Sequence, residues 1–184
     1  MSNSSKYIVR QPIKDRENHI LGYEIQYYGE NHAFSSGDNT TQSNDFAAAD
    51  TIYNFLTLNT DKLLRGALHF MTFTTTLLMK KTPRLFDKNE LVIQIDDSVI
   101  IHPLAMHMIQ QYAKEGYKIA VNEFQFAPRY LAMLDSIDYI KLNFQSTPEL
   151  TLKNIIEIAH SMNKLCIAMG IDREELYQRA LKLK

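Results

Sequence analysis

The sequence has 184 residues, of which 45% are hydrophobic and 22% are charged, and its formal net charge is −1. This length predicts one domain, 1–184, that is large enough to bury a core. Because the charge is near neutral and the lysines and arginines are scattered, composition gives no basis for binding nucleic acid or an anionic membrane.

The first residues and the single cysteine together predict a cytoplasmic location. Residues 1–5 lack the basic and apolar regions of a signal peptide, and no run approaches the ~20 apolar residues that a membrane span needs. Cys166 has no second cysteine to pair with, which suits a reducing compartment. Its apolar neighbours predict a buried, unreactive thiol.

The N-terminal quarter predicts a β-hairpin followed by a loop. Residues 7–13 and 20–28 have strand character on either side of a polar turn. Residues 29–44 are rich in Ser, Asn, Thr and Gly without an apolar period, which predicts a flexible loop. A helix is predicted from Asp45, with an apolar face formed by Phe46, Ala49, Tyr53 and Leu56.

Strands and helices then alternate to the end of the chain. Strands are predicted at 68–73, 90–95, 118–121, 139–142 and 165–169. The helices between them include one that Gly116 ends, and Asp172 with Glu175 resembles a capping box before the last helix. The alternation predicts an α/β fold with a parallel sheet, either a barrel or a doubly wound sheet. The absence of a Gly-x-Gly-x-x-Gly motif weakens the second option.

In a barrel, functional residues lie at the carboxyl ends of the strands. The residues predicted at these ends form an ordered set, of which only the first carries a carboxylate: Glu24, Thr72, Gln94, Asn122, Asn143 and Met169. The layout is that of a metal site, but most of the negative charge that such a site needs is missing.

Short motifs across nearly the whole chain resemble those of EAL domains, the cyclic di-GMP phosphodiesterases of bacterial signalling. Gln11-Pro12 with Gly22-Tyr23-Glu24 resembles the family's opening. The stretch Val9-Arg10-Gln11-Pro12-Ile13 and the Gly-Tyr-Glu are most similar to variant EAL domains fused to HDOD domains. The other resembling motifs follow in family order: Gln94-Ile95-Asp96-Asp97, Ala120-Val121-Asn122-Glu123-Phe124, Asp138-Tyr139-Ile140-Lys141-Leu142-Asn143 and Ala168-Met169-Gly170-Ile171-Asp172.

The resemblance implies a modified TIM-type (β/α) barrel whose two-metal site hydrolyses cyclic di-GMP. Carried over residue by residue, Glu24 keeps the first metal ligand, Glu123 one carboxylate of an acidic pair, and Lys141 the family's lysine. Asp172 remains as a shortened carboxylate. The other positions depart from the family: Tyr28 replaces a phosphate-binding arginine, Thr72 an asparagine, Gln94 a glutamate, Asn122 and Asn143 aspartates, and Met169 a glutamate.

An amide has the shape of a carboxylate without its charge, and methionine is a poor ligand for Mg²⁺ or Mn²⁺. We therefore expect no catalytic residues, no metal and no cofactor, with the strand-end set, Glu123 and Lys141 as a vestigial site. Two alternatives stay open. Glu24, Glu123 and Asp97 are candidates for a weak single-metal site, and Gln11, Tyr28 and Lys141 are candidate contacts to a nucleotide.

Length also departs from the family, since barrels of this type usually need ~250 residues. The family's closing strand is missing, so we expect a shortened or incomplete barrel. Unpaired strand edges would favour self-association, as a homo-oligomer, or a protein partner. The alternative is that the chain is a fragment of a longer protein.

The sequence thus predicts a catalytically inactive EAL-like signalling module, a bacterial pseudoenzyme that acts through protein–protein interaction. A non-catalytic cyclic di-GMP receptor is the alternative, against which the loss of the arginine at Tyr28 weighs. An active phosphodiesterase ranks third.

Overall fold

A computed structural model describes residues 7–28, 41–58 and 66–183. By its internal contacts the chain forms two compact units, Met1–Ile93 and Gln94–Lys184. Residues 29–40, most of the predicted flexible loop, lie outside the described residues. The prediction of a single domain stays a prediction.

The first unit contains the hairpin, two helices and the third strand. Its elements are β1 (Tyr7–Lys14), β2 (Ile20–Tyr28), α1 (Thr41–Leu58), β3 (Leu68–Thr72), α2 (Thr75–Met79) and a 3₁₀ turn (Thr82–Leu85). β1 pairs antiparallel with β2, which confirms the predicted hairpin, and β2 pairs parallel with β3.

The hairpin turn is closed by one aspartate side chain. Oδ1 of Asp15 accepts hydrogen bonds from the backbone N–H groups of Glu17 and His19, both at 2.9 Å. Asn18 adopts a left-handed backbone (φ 72°), which asparagine tolerates better than most residues. The polar stretch between the two strands therefore encodes a defined turn.

Helix α1 differs from its prediction in its start and in its buried face. It begins at Thr41, so residues 41–44 belong to the helix and not to the loop. Its buried side chains include Ala48, Thr51 and Ile52, whereas Tyr53 and Leu56 are exposed. The alanine-rich first half offers little contrast between faces, so the larger apolar residues indicated the wrong side.

The second unit contains the last strands and five helices. β4 (Leu91–Ile95) crosses the boundary between the units, and the elements that follow are α3 (Asp97–Ile100), α4 (Pro103–Glu115), β5 (Lys118–Val121), α5 (Pro128–Leu131), a 3₁₀ turn (Leu134–Ser136), β6 (Tyr139–Asn143), α6 (Glu149–Ser161), β7 (Leu165–Met169) and α7 (Glu174–Lys182). β5, β6 and β7 pair in parallel. The strands follow one another in the sheet in chain order.

The helices of this unit begin and end where their sequence signals indicate, with one exception. Gly116 ends α4 in a left-handed conformation (φ 97°), as predicted. α6 buries Leu152, Ile155, Ile156 and Ala159 on one face.

The predicted capping box of α7 is wrong. Arg173 occupies the N-cap position without a side-chain cap. Asp172 lies one residue too early and contacts Arg173 instead, with 3.4 Å between Oδ1 and Nε. The last helix therefore starts without the predicted stabilisation of its first turn.

Candidate functional site

Four of the predicted site residues lie in the first unit. Glu24 lies in the interior of β2, as the last residue of that strand that pairs with β3, and it faces Gln11 of β1 in the antiparallel register. Thr72 ends β3, and both Glu24 and Thr72 are half-buried. Gln11 is exposed. Tyr28 ends β2, but its side chain lies outside the described part of the chain.

In the second unit a buried lysine meets a buried amide. Lys141, the central residue of β6, is fully buried, and its Nζ donates a hydrogen bond of 2.7 Å to Oε1 of Gln94 on β4. Gln94 is only 2% exposed. A charged group is costly to bury unless it is hydrogen-bonded, so this contact stabilises the ammonium. The same contact directs Oε1 of Gln94 toward the side chain of Lys141.

A second amide–carboxylate contact lies at the ends of β5 and β6. Nδ2 of Asn143 donates a hydrogen bond of 3.3 Å to Oε1 of Glu123. Glu123 has a left-handed backbone (φ 49°), which costs a non-glycine residue about 1–2 kcal/mol. Two residues that the sequence predicted to be neighbours of a vestigial site are thus joined to each other.

The side-chain oxygen of Asn143 is hydrogen-bonded to the turn that follows β6. Its Oδ1 accepts hydrogen bonds from the backbone N–H groups of Gln145 (3.0 Å) and Ser146 (3.2 Å). Both ends of the amide therefore have partners within the second unit. An aspartate at this position could accept the same bonds from the turn but could not donate to Glu123.

Asn122 and Met169 complete the predicted set. Asn122 follows β5, and its N–H donates to the carbonyl of Ile95 at 2.8 Å, while its buried Oδ1 accepts no hydrogen bond. Met169 ends β7 beside Asn143 and is half-buried. Gly170 follows with φ 72°, and a Cβ there would lie 3.3 Å from Oδ1 of Asn143. Glycine is required at this point by both the backbone and the space.

Asp97 is held by two side chains that the sequence did not indicate. Its Oδ1 accepts hydrogen bonds from Nε of Arg129 (2.8 Å) and from the Tyr130 hydroxyl (2.9 Å). Burial, together with the bond to Asp97, raises the pKa of Tyr130. These contacts join α3 to α5 and neutralise the carboxylate, which makes Asp97 a poor candidate for the weak single-metal site. No local signal marks such a contact, since 32 residues separate the partners.

Cys166 lies on β7 and is not a reactive thiol. Burial raises the pKa of the Cys166 thiol to about 11, so little thiolate exists near neutral pH. Within the described ranges, His, Cys, Asp and Glu side chains form no group of three that could hold a metal ion.

A surface cavity of about 460 Å³ lies beside α7, bordered by Glu149 and Arg179. In the same described residues, no helix is both long and apolar enough to cross a membrane.

Comparison with known proteins gives relatives over most of the chain. No family model matches the sequence. An uncharacterised protein of Bacillus subtilis, YuxH, is 26% identical over 183 residues, which is 96% of this chain and 44% of the relative. The cyclic di-GMP phosphodiesterase CdgJ of Vibrio cholerae is 24% identical over 147 residues, 76% of this chain and 32% of that protein. The chain thus spans less than half of the length of either relative.

Solved structures establish the fold. The Bacillus subtilis YkuI protein, which has an EAL domain and whose crystal structure holds the substrate c-di-GMP and calcium, matches with a TM-score of 0.70 at 19% identity. The match covers 97% of this chain and 52% of that one. The chain therefore has the fold of an EAL domain, and the prediction of an α/β fold of the (β/α) barrel type is confirmed.

Proposed function

We propose that this chain is a catalytically inactive EAL-like module of cyclic di-GMP signalling that acts in the cytoplasm through protein–protein interaction. One observation carries the proposal. Oε1 of Gln94, at the position where the resemblance places a metal-binding glutamate, accepts a hydrogen bond from the buried ammonium of Lys141 at 2.7 Å. A neutral oxygen directed at a fixed cation is a poor ligand for a divalent ion.

The rest of the donor set supports the same proposal. Two divalent ions that lie ~4 Å apart require several carboxylates to hold them against their mutual repulsion. In the second unit the described donors at the strand ends are Gln94, Asn122, Asn143 and Met169, with Glu123 as the remaining carboxylate, already bonded to Asn143. These residues do not fit a pair of Mg²⁺ or Mn²⁺ ions, and we derive no hydrolytic step through such ions.

The interaction part of the proposal is supported by apolar surface in the last βα unit. β6 is almost wholly buried, whereas no residue of β7 is fully buried and Leu165 is 55% exposed. α7 buries none of its side chains, and Tyr177 is 44% exposed. Exposed apolar side chains offer surface for association with a protein.

The alternative is a non-catalytic cyclic di-GMP receptor. It is favoured by the basic side chain of Lys141, in the middle of β6, and by the fact that YkuI holds c-di-GMP. An active phosphodiesterase ranks third. Its support is the relationship to CdgJ, and the donor set opposes it.

Three measurements on the purified chain separate these functions. Titration calorimetry with cyclic di-GMP, with and without Mn²⁺, tests the receptor, and product formation with Mn²⁺ tests the enzyme. Sedimentation at several protein concentrations tests self-association. We expect no turnover and no heat of binding. Turnover that Gln94→Ala abolishes would overturn the proposal, and micromolar binding without turnover would establish the receptor.

A further inference from the structure

Helix α7 makes several polar contacts with the rest of the second unit. None of its side chains is fully buried, and Leu176, Ala180 and Leu181 are half-buried, so apolar burial fixes its position only in part. Elements with few buried apolar contacts open at low free energy and move most easily. The contacts that hold α7 therefore matter more than they would in a well-buried helix.

Arg179 makes most of these contacts, and all of them reach the turn between β6 and α6. Nη1 donates to the carbonyl of Phe144 at 3.2 Å, and Nη2 donates to the carbonyl of Thr147 at 3.4 Å. Nε lies 3.4 Å from Oε2 of Glu149 in the first turn of α6. The guanidinium also lies 5.9 Å from the centre of the Phe144 ring. The planar, forked shape of arginine allows one side chain to reach both carbonyls.

Arg179 and Asn143 both form hydrogen bonds with the backbone of the turn 143–147. The amide oxygen of Asn143 accepts hydrogen bonds from Gln145 and Ser146, and its carbonyl accepts one from Thr147 at 3.1 Å. Arg179 holds the carbonyls of residues 144 and 147, while Asn143 holds N–H groups of residues 145, 146 and 147. Arg179 and Asn143 thus fix opposite backbone groups of one five-residue turn.

We propose that Arg179 is a positioning residue that couples α7 to the turn 143–147, and through Asn143 to Glu123. When α7 moves, the carbonyls of Phe144 and Thr147 lose their donors, and the turn that orients the Asn143 amide loosens. A molecule that contacts α7 can then alter the strand ends without touching them. This coupling depends only on the hydrogen bonds of the turn, and it holds whichever of the three functions is correct.

Amide hydrogen exchange of the whole chain, resolved by NMR, tests the coupling. Arg179→Gln removes the charge and the fork, and we expect the N–H groups of Gln145 and Ser146 to exchange about tenfold faster or more. The side-chain amide signals of Asn143 should shift as well. Arg179→Lys keeps the charge without the fork and should give an intermediate increase. Lys182→Gln, on the same helix, is the matched control and should leave these amides unchanged.

The reciprocal variant keeps the test decisive if Arg179→Gln fails to fold. Coupling between two sites acts equally in both directions. Asn143→Ala loosens the turn directly, and exchange in α7 should then accelerate as well. The proposal is overturned if Arg179→Gln accelerates exchange in α7 alone. It is equally overturned if Asn143→Ala leaves α7 unchanged.

Discussion

The ammonium of Lys141 donates a hydrogen bond of 2.7 Å to Oε1 of Gln94, and both side chains are buried. The resemblance to EAL domains implies a glutamate at the position of Gln94. Here an amide of the same shape takes its place. The contact has the hydrogen bond without a negative charge on its acceptor.

Replacing the lysine tests how much this contact stabilises the fold. Lys141→Met keeps much of the volume but removes the donor from a buried oxygen, so we expect the free energy of unfolding to fall by about 1–3 kcal/mol. Urea unfolding measures the change. Lys153→Met, on the exposed face of α6, is the control and should change the stability by less than about 0.5 kcal/mol. A more stable Lys141→Met would show that the hydrogen bond does not offset the cost of burying the ammonium.

Restoring the missing charges tests the alignment of the strand ends with the EAL motif. Five combined substitutions should raise the affinity for Mn²⁺ by about tenfold or more, because carboxylates replace neutral donors. The substitutions are Tyr28→Arg, Gln94→Glu, Asn122→Asp, Asn143→Asp and Met169→Glu. Titration calorimetry with Mn²⁺ alone is the measurement.

The control for this experiment adds acidic groups elsewhere. Three exposed amides on the surface offer changes that lower the net charge by the same three units away from the strand ends: Asn89→Asp, Gln111→Glu and Gln178→Glu. If both variants gain the same affinity, the gain reflects net charge. If the five substitutions give no gain at all, the alignment is wrong.

The close approach of two strands explains why the Gly22-Tyr23-Glu24 motif begins with a glycine. A Cβ at this position would lie 2.5 Å from the carbonyl oxygen of Leu68 on the neighbouring strand. Since β2 and β3 are joined through this backbone, Gly22→Ala must push them apart. We expect a loss of stability of about 2 kcal/mol or more by thermal unfolding. Gly66→Ala, where a Cβ meets nothing within 4 Å but φ is 88°, isolates backbone strain and should cost less.

Sequence predicted the strands of the second unit closely because each is a short apolar run between turn signals. β5 and β7 have the predicted bounds, and β4 and β6 differ by one residue. The fold class followed from their alternation with helices. Thr72, Asn143 and Met169 end their strands as predicted, whereas the prediction that Glu24 lies at a strand end is wrong, because β2 continues to Tyr28.

What the sequence did not predict depends on contacts between distant residues. The bond between Asn143 and Glu123 needs both the parallel pairing of β5 with β6 and the left-handed backbone of Glu123. The hydrogen bond from Arg129 to Asp97 joins α5 to α3. Such contacts leave no periodicity or spacing in the chain, so residues that looked available for a metal were engaged elsewhere.

Stability should depend on pH through His69 in β3. This side chain is 4% exposed, and burial, with a smaller contribution from Arg10, lowers its pKa against the opposing effect of Glu90. The unfolded chain then binds a proton more readily than the folded chain once the pH falls below about 6.5. We therefore expect the free energy of unfolding to decrease between pH 7 and pH 5, as measured by urea midpoints. His69→Leu should flatten this dependence, and His160→Gln, at an exposed position, should leave it unchanged. An equal slope in the native chain and in His69→Leu would assign the pH dependence to other groups.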